Sequence, residues 1–418
     1  MDIHTWYKDQ VTERLLRYAA INTESKRGSD AVPSTPGQWD LLNMLLDELR
    51  DIGVKDVDLN ENGYLIARVP ASDPSCSSAP VTAFMAHVDT SEDVSGAGVR
   101  PRVIRGYDGG DIPLGDSLVL SPEQNPELNK YIGSDIITAD GSTLLGADDK
   151  AGIAEIMTAV EYVLLHKPFP HGSFEIIFTP DEETGSGMDL FPRDALHAKS
   201  CYTLDGTGRG SLESECFNAV RIDVACIGVS YHLGSARGRM VNALTMAASL
   251  VSMLPQAESP EATDGRYGYY CPLKISGHVE RTELQVYIRD FDVLDAERRI
   301  EAVTQMAKAV EAAFPGGKVQ LEVSWQYRNM REYIDKEPQV LLLLEEAIKA
   351  VGLTPEHTII RGGTDGARLS AVGIPTPNIF TGGYNYHSRY EWASVDAMAD
   401  ASRVVVELIR LWAQVAEA

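Results

Sequence analysis

The chain has 418 residues, 44% hydrophobic and 23% charged, a balance that predicts a soluble globular protein long enough for two domains. Against 37 basic residues stand 61 acidic ones, and the net charge of −24 argues against nucleic acid or anionic membranes as partners. The sequence contains no apolar run of the roughly 18 residues a membrane span needs, and its first residues, MDIHTWYKDQVTERLLRY, do not read as a signal peptide. Five cysteines (Cys76, Cys201, Cys216, Cys226 and Cys271) without a CxxC spacing predict free thiols in a reducing compartment, hence a cytoplasmic location.

In chain order, Trp39, Leu42, Leu45, Leu46 and Leu49 recur at helical spacing, with Gly53 as a stop. Short β-rich runs follow at 64–69 and 81–86. A helix is predicted over 151–166 and a strand over 173–179. The segment 72–80 reads as an exposed loop, and 91–141, dense in Gly, Pro and Asp, as an extended excursion between two site-bearing strands. Alternation of this kind predicts an α/β domain with a largely parallel sheet. From about Phe217 the texture changes to strand 219–227, helix 240–254, strand 283–289, helix 294–314 and strand 318–325. These predict an α+β domain inserted into the first. Helix and strand alternate again after Met330 and end in a helix from Ser394. The expected boundaries are 1–216 and 329–418 for the catalytic domain, and 217–328 for the insertion.

Five short segments place His, Asp and Glu near strand ends. In HVDT (87–90), residues two apart point the same way in extended chain, so Asp89 can sit beside His87 and fix the tautomer of a metal-binding imidazole. Alone, an HxD is common and more often a polar strand end. LGADDKAG (145–152) lies at a loop-to-helix junction, where Asp148 and Asp149 could equally be helix caps. In TPDEETG (179–185) adjacent acids follow an apolar strand, which suits a site needing one ligand and one base, although a solvated turn looks the same. Asp205 in TLDG and His387 in NYHS complete the set. Two imidazoles with several carboxylates form a mixed N/O donor set suited to zinc, or to cobalt and manganese, more than to copper.

Taken together, HVDT, LGADDKAGIAEIM, FTPDEETG, TLDG, MVNAL, IRDFD, RGGTDGA and PNIFTGGYNYH resemble the motif series of the co-catalytic zinc peptidases and deacylases over nearly the whole chain. RGGTDGA and IFTGGYNYH narrow the resemblance to the tripeptidase branch. It implies a zinc-peptidase catalytic domain with a mostly parallel mixed sheet, plus an α+β lid that also forms a homodimer interface. His87 and Asp205 would bind one metal, Glu183 and His387 the other, and Asp148 would bridge them. Two Zn²⁺ per chain are implied, with Co²⁺ or Mn²⁺ as substitutes. Glu182 would be the general base for a metal-activated bridging water, and Asp89 would orient His87. Whether the Asp148–Asp149 peptide is cis, as in such sites, is not legible here.

In the lid, His232 matches the histidine that reaches the partner's site and stabilises the oxyanion. The sequence departs from the pattern there, because Tyr231-His232-Leu233-Gly234 lacks the proline that usually follows. A structural histidine is the alternative. Arg289 and Asn242 match substrate-binding positions, although Arg289 in a strand also suits a structural ion pair, and Arg361 beside its Gly-rich loop suits either. His4, His166, His171, His197, His278 and His357 lie outside the motifs and read as structural. The implied activity is removal of the N-terminal residue from tripeptides with a free N-terminus. An N-acyl-amino-acid deacylase or a carboxypeptidase would share this metal site, and an inactive peptide-binding protein is the rival from another class. The base and all five ligand positions are present, which argues against the latter.

Overall fold

The computed structural model describes residues 2–115 and 118–415 and resolves into two compact units. The first comprises Met1–Ser214, Glu332–Thr358 and Thr364–Ala418, and the second Glu215–Arg331 with Ile359–Gly363. The second unit therefore includes a short return segment that carries Arg361, outside the span expected from sequence.

The main sheet has eight strands: β1 (Asp56–Leu59), β2 (Leu65–Val69), β3 (Thr82–His87), β4 (Phe174–Thr179), β5 (Ser200–Gly206), β6 (Ser211–Cys216), β7 (Glu356–Ile360) and β8 (Asn378–Phe380). Their order is β1-β2-β4-β3-β5-β8-β6-β7. The centre is parallel, with β3 beside β4 and β5, and β8 beside β5. Antiparallel pairs flank it, β1 with β2, β2 with β4, and β6 with β8. Alternate side chains of the central strands feed two separate cores. Phe84, Ala86, Ile176, Phe178, Tyr202 and Leu204 enter one, while Ala83, Met85, Ile177 and Cys201 enter the other. Burial on both faces is why these strands read as unbroken apolar runs.

Helices α1 (Ile3–Ala19), α2 (Pro36–Asp51), α3 (Ala147–His166), α4 (Gln339–Ala350), α5 (Asp365–Ala371) and α6 (Val395–Trp412) complete this unit. The layer of α1, α3 and α6 seals the larger core, with α4 against α6. Sequence reading did not assign α1, because charged residues interleave its buried stripe of Tyr7, Val11, Leu15 and Tyr18. The described residues of the excursion 91–141 are structured. Its strands Arg102–Ile104 and Ile136–Thr138 join Trp392–Ser394 and Gly383–Tyr384 in a small sheet. Tyr107, Leu128 and Tyr131 pack with Trp392 in its core. That sheet grips both ends of the segment carrying His387.

In the second unit a four-stranded antiparallel sheet runs Tyr269–Gly277, Arg281–Asp290, Asn218–Ile227, Lys318–Tyr327. Helices Ala243–Met253 and Val293–Ala313 bury Met246, Ala247, Leu250, Val303 and Val310 with Val220, Ile222, Val286 and Ile288. The strand Tyr269–Gly277 escaped the sequence reading. It is an edge strand with mostly exposed side chains, and it tolerates Pro272, beside which its register shifts.

The first turn of α3 presses on β5 at Gly152. A Cβ there would lie 2.1 Å from the Leu204 carbonyl oxygen and 2.5 Å from Asp149 Oδ1. Overpacking of this kind costs about 1–3 kcal/mol. Gly152→Ala is expected to melt clearly below wild type in a thermal scan, and equal melting temperatures would contradict this close approach.

Candidate active site

The chemistry-bearing residues of the first unit gather at the carboxyl ends of the parallel strands, where α/β sheets place their sites. His87 ends β3 and Asp205 is the penultimate residue of β5. Glu182 and Glu183 form the single turn Glu182–Thr184 after β4. Asp148 and Asp149 open α3, joined by a cis peptide. His387 comes from the loop beyond β8. Three non-glycine residues around the cluster, Asp181, Asn385 and His387, hold left-handed backbone with φ of 58°, 57° and 58°. Such conformations cost about 1–3 kcal/mol each and concentrate at functional sites.

Asp148 is the centre of the arrangement. Its Oδ1 lies 3.0 Å from His87 Nε2, and its Oδ2 lies 3.3 Å from His387 Nε2. His387 Nε2 is also 2.9 Å from Glu183 Oε1, and His87 Nε2 is 3.9 Å from Asp205 Oδ1. The two oxygens of one carboxylate thus serve two imidazoles, each with a further carboxylate beside it. Candidate ligand atoms of His87, Asp148 and Glu183, and of His87, Asp149 and Asp205, lie within 4.8 Å of one another.

A second set of groups holds these in place. His87 Nδ1 is 3.0 Å from the Asp89 carbonyl oxygen and 3.3 Å from its Oδ1, so the backbone and the carboxylate of Asp89 both face the ring. Asp89 is fully buried, and its oxygens also accept the backbone N–H groups of Glu182 (3.0 Å) and Glu183 (3.2 Å). One side chain therefore aligns an imidazole and the turn carrying the two glutamates. Asp149 accepts from the backbone N–H of His87 and of Gly152, at 3.2 Å each, so part of its role is the helix-capping one. Asp93 Oδ2 lies 3.1 Å from His387 Nδ1. Thr364 Oγ1 donates to Asp205 Oδ2 at 3.4 Å, and Thr179 Oγ1 donates to Asp365 Oδ2 at 2.8 Å. Buried Glu391 accepts the backbone N–H groups of Leu145, Gly146 and Asp148 at 2.7, 2.8 and 3.1 Å.

The electrostatics are those of a cation site. Carboxylates of Asp89, Asp148, Asp149, Glu182, Glu183, Asp205 and Asp365 crowd against His87, His387 and buried Lys150. Burial, reinforced by neighbouring carboxylates, pushes Glu182 and Asp205 well above the usual carboxylate range. Burial and Asp148 raise Glu183 to about 7. Asp148 goes the other way: burial would raise it, but the two imidazoles outweigh that and hold it low. The carboxylates of Asp148 and Glu183 close beside its ring raise His387 to about 11. Burial works against the charged form of His87, but the bonds to Asp148 and Asp89 override it and raise its pKa.

The donor set fits a pair of divalent ions. Glu183 Oε1 is buried without a hydrogen bond although His387 Nε2 is 2.9 Å away, as for two donor atoms converging on a shared cation. Ligand atoms of a tetrahedral centre with bonds of about 2.0–2.1 Å lie about 3.3 Å apart, close to the spacings around Asp148. Asp93 and Glu391 carried no signal in the sequence, and Asp365, although inside RGGTDGA, was not marked there as a site residue. They sit on loops or at a helix start, where no periodicity marks an inward side chain, and Glu391 acts 243 residues from its partner Asp148.

The remaining predicted residues lie in the second unit. His232 is exposed and its Nδ1 accepts the backbone N–H of Gly234 at 3.2 Å. Asn242 caps helix Ala243–Met253, accepting from the N–H groups of Leu244 (2.9 Å) and Thr245 (3.4 Å). Arg289 donates to the Ile288 carbonyl oxygen (3.0 Å) and Gln326 Oε1 (3.1 Å) and lies over the rings of Tyr287 and Tyr327. Its partners there are neutral. Arg361 donates to the carbonyl oxygens of Gly265 (2.6 Å), Tyr267 (2.9 Å) and Thr263 (3.2 Å), pinning the loop before Tyr269–Gly277.

The sequence profile of "Peptidase family M20/M25/M40" matches residues 139–411. Peptidase T of Bacillus licheniformis is 45% identical over 407 residues, 97% of this chain and 99% of its own. Among solved structures, aminopeptidase PepT from Bacillus cereus superposes with a TM-score of 0.76 at 23% identity, covering 97% of this chain and 99% of that one. A tripeptidase from Staphylococcus aureus gives 0.77 at 20% identity, covering 98% and 99%. The structural likenesses establish the fold, and with the profile and the near-full-length identity they lead to one conclusion: the chain belongs to peptidase family M20/M25/M40.

Proposed function

We propose that the protein is a metallo-aminopeptidase that removes the N-terminal residue from tripeptides, holds two divalent ions, zinc foremost, and works as a cytoplasmic homodimer through its second unit. The observation that carries this reading is the split of Asp148, one oxygen toward His87 and the other toward His387, within a buried excess of carboxylate. The 45% identity to peptidase T over nearly the whole chain supports the tripeptide specificity. His87 and Asp205 would hold one ion and Glu183 and His387 the other, with Asp148 available to both. The paired ions supply Lewis-acid activation of a water and of the scissile carbonyl.

The rest of the chemistry belongs to side chains. Glu182, raised by burial, takes the proton from the attacking water and returns it to the leaving amine. Asp89 keeps the Glu182–Glu183 turn and the His87 ring in register by its bonds to both. His232 of one subunit donates to the developing oxyanion in the partner's site. Its exposure and its Nε2, without a hydrogen-bond partner among the described residues, leave it available for that role. Arg289 and Asn242 contact the peptide through whatever donor capacity their structural bonds leave.

Two measurements test this reading. A free tripeptide is expected to lose its first residue while the N-acetylated form resists. Cleavage of the acetylated form alone would instead identify a deacylase. Glu182→Gln is expected to lower kcat by roughly 10²–10⁴-fold with bound metal retained. Mixing it with His232→Ala protein is then expected to restore roughly one quarter of wild-type activity, the statistical yield of intact sites in exchanged dimers. Loss of metal in Glu182→Gln would contradict its role as base, and no recovery despite subunit exchange would contradict the trans role of His232.

A further inference from the structure

The N-cap residue of helix α3 supplies no side-chain acceptor, and within the helix Asp149 takes only the Gly152 N–H. Its N-cap, Gly146, has left-handed backbone (φ 80°) and no side chain to accept the first N–H groups of the helix. A helix start leaves four such donors unsatisfied, and burying them unpaired is costly. The acceptor comes instead from Glu391, far along the chain and itself 1% exposed. Glu391 Oε2 takes the N–H groups of Leu145 and Gly146, and Oε1 takes that of Asp148. Hydrogen bonds to a carboxylate are roughly twice as strong as neutral ones, and the helix dipole favours negative charge at this end.

Glu391 is also tied to the other half of the site. It lies four residues beyond His387 in a loop closed by its own bonds. Ser388 Oγ donates to the Asn385 carbonyl oxygen at 2.6 Å, the Tyr390 N–H bonds to Ser388 Oγ at 3.1 Å, and Asn385 Nδ2 donates to the Tyr390 carbonyl oxygen at 3.1 Å. The next residue, Trp392, enters the small sheet and is fully buried. The Glu391 carboxylate is therefore a rigid strut between the loop that presents His387 and the turn that presents Asp148. A local Ser or Asp cap would reach only donors of the first helical turn, such as the Asp148 N–H, and would leave the two segments unconnected.

We propose that Glu391 is a positioning residue of the metal centre, which fixes the distance between Asp148 Oδ2 and His387 Nε2 and so sets affinity and geometry at the second ion. The proposal rests on the dinuclear reading of the site. Groups of this kind, one bond removed from the ligands, change metal affinity by about 10–100-fold when altered.

The test uses full-length protein, stripped of metal and titrated with Co²⁺, comparing wild type with Glu391→Gln and Glu391→Ala. Glu391→Gln keeps one oxygen for Leu145 and Gly146 and the charge-free shape, so it is the variant expected to fold. It turns an N–H₂ group toward Asp148 N–H and loses that bond. The expected result is two bound Co²⁺ in wild type, and about 10-fold or greater weakening of one of them in Glu391→Gln. An altered visible Co²⁺ spectrum and a lower kcat at similar KM should accompany it. Folded variants with wild-type affinity, spectrum and kcat, differing only in melting temperature, would reduce Glu391 to a helix cap and overturn the proposal. Wild-type protein that bound no Co²⁺ would overturn both the proposal and the dinuclear reading beneath it.

Discussion

The site depends on one shared carboxylate. Asp148 offers an oxygen to each of two histidines brought from opposite ends of the chain, and nearly every neighbouring interaction fixes where that carboxylate points. It sits at the start of α3, whose first turn is pressed against β5 at Gly152 and held from outside by Glu391. Asp205 on β5, His87 on β3 and the glutamate turn after β4 then fall around it because their strands are adjacent in the parallel centre of the sheet. The topology supplies proximity, and the carboxylates that bond to backbone N–H groups supply direction.

This design concentrates unfavourable terms. Acids are buried side by side, so repulsion and lost hydration raise several of them, Glu183 to about 7. Left-handed backbone at Asp181, Asn385 and His387 adds strain. Ions of opposite charge are the natural compensation, since attraction between a divalent cation and the surrounding oxygens offsets their mutual repulsion and favours their ionised forms. Much of the surrounding framework resists the spreading that repulsion alone would favour. Asp181 accepts from Ser34 N and Gln38 Nε2 at 2.8 and 2.7 Å, and the excursion sheet clamps both ends of the His387 loop.

Central strands and most long helices were legible in the sequence because burial on both faces writes an unbroken apolar run and a buried helix face writes a stripe, although charged residues hid the stripe of α1. The strand expected at 173–179 is Phe174–Thr179, and the helix expected over 294–314 is Val293–Ala313. The strand Tyr269–Gly277 was not legible, since its exposed edge position permits a proline and demands no alternation. In the site, the residues named from sequence at 87, 89, 148, 182, 183, 205 and 387 gather in the first unit; all but His387, which lies on a loop, stand at or beside a strand end or helix start. Glu391 and Asp93 were invisible, and Asp365 stayed without a role inside its motif, for the complementary reason. Their work is to bond with backbone or with another polar side chain distant in sequence, and no spacing rule records such a partner. The residues at 232, 242 and 289 belong to the second unit, where Asn242 and Arg289 also have structural bonds of their own.

The measurement closest to the central claim is metal stoichiometry in Asp148→Asn. An amide offers one oxygen and one N–H₂ group, so it cannot serve both halves of the site at once. By elemental analysis after zinc loading, wild type is expected to hold two ions per chain and folded Asp148→Asn at most one, weakly. Two ions retained at wild-type affinity in Asp148→Asn would contradict the claim that this carboxylate is the shared centre of the site.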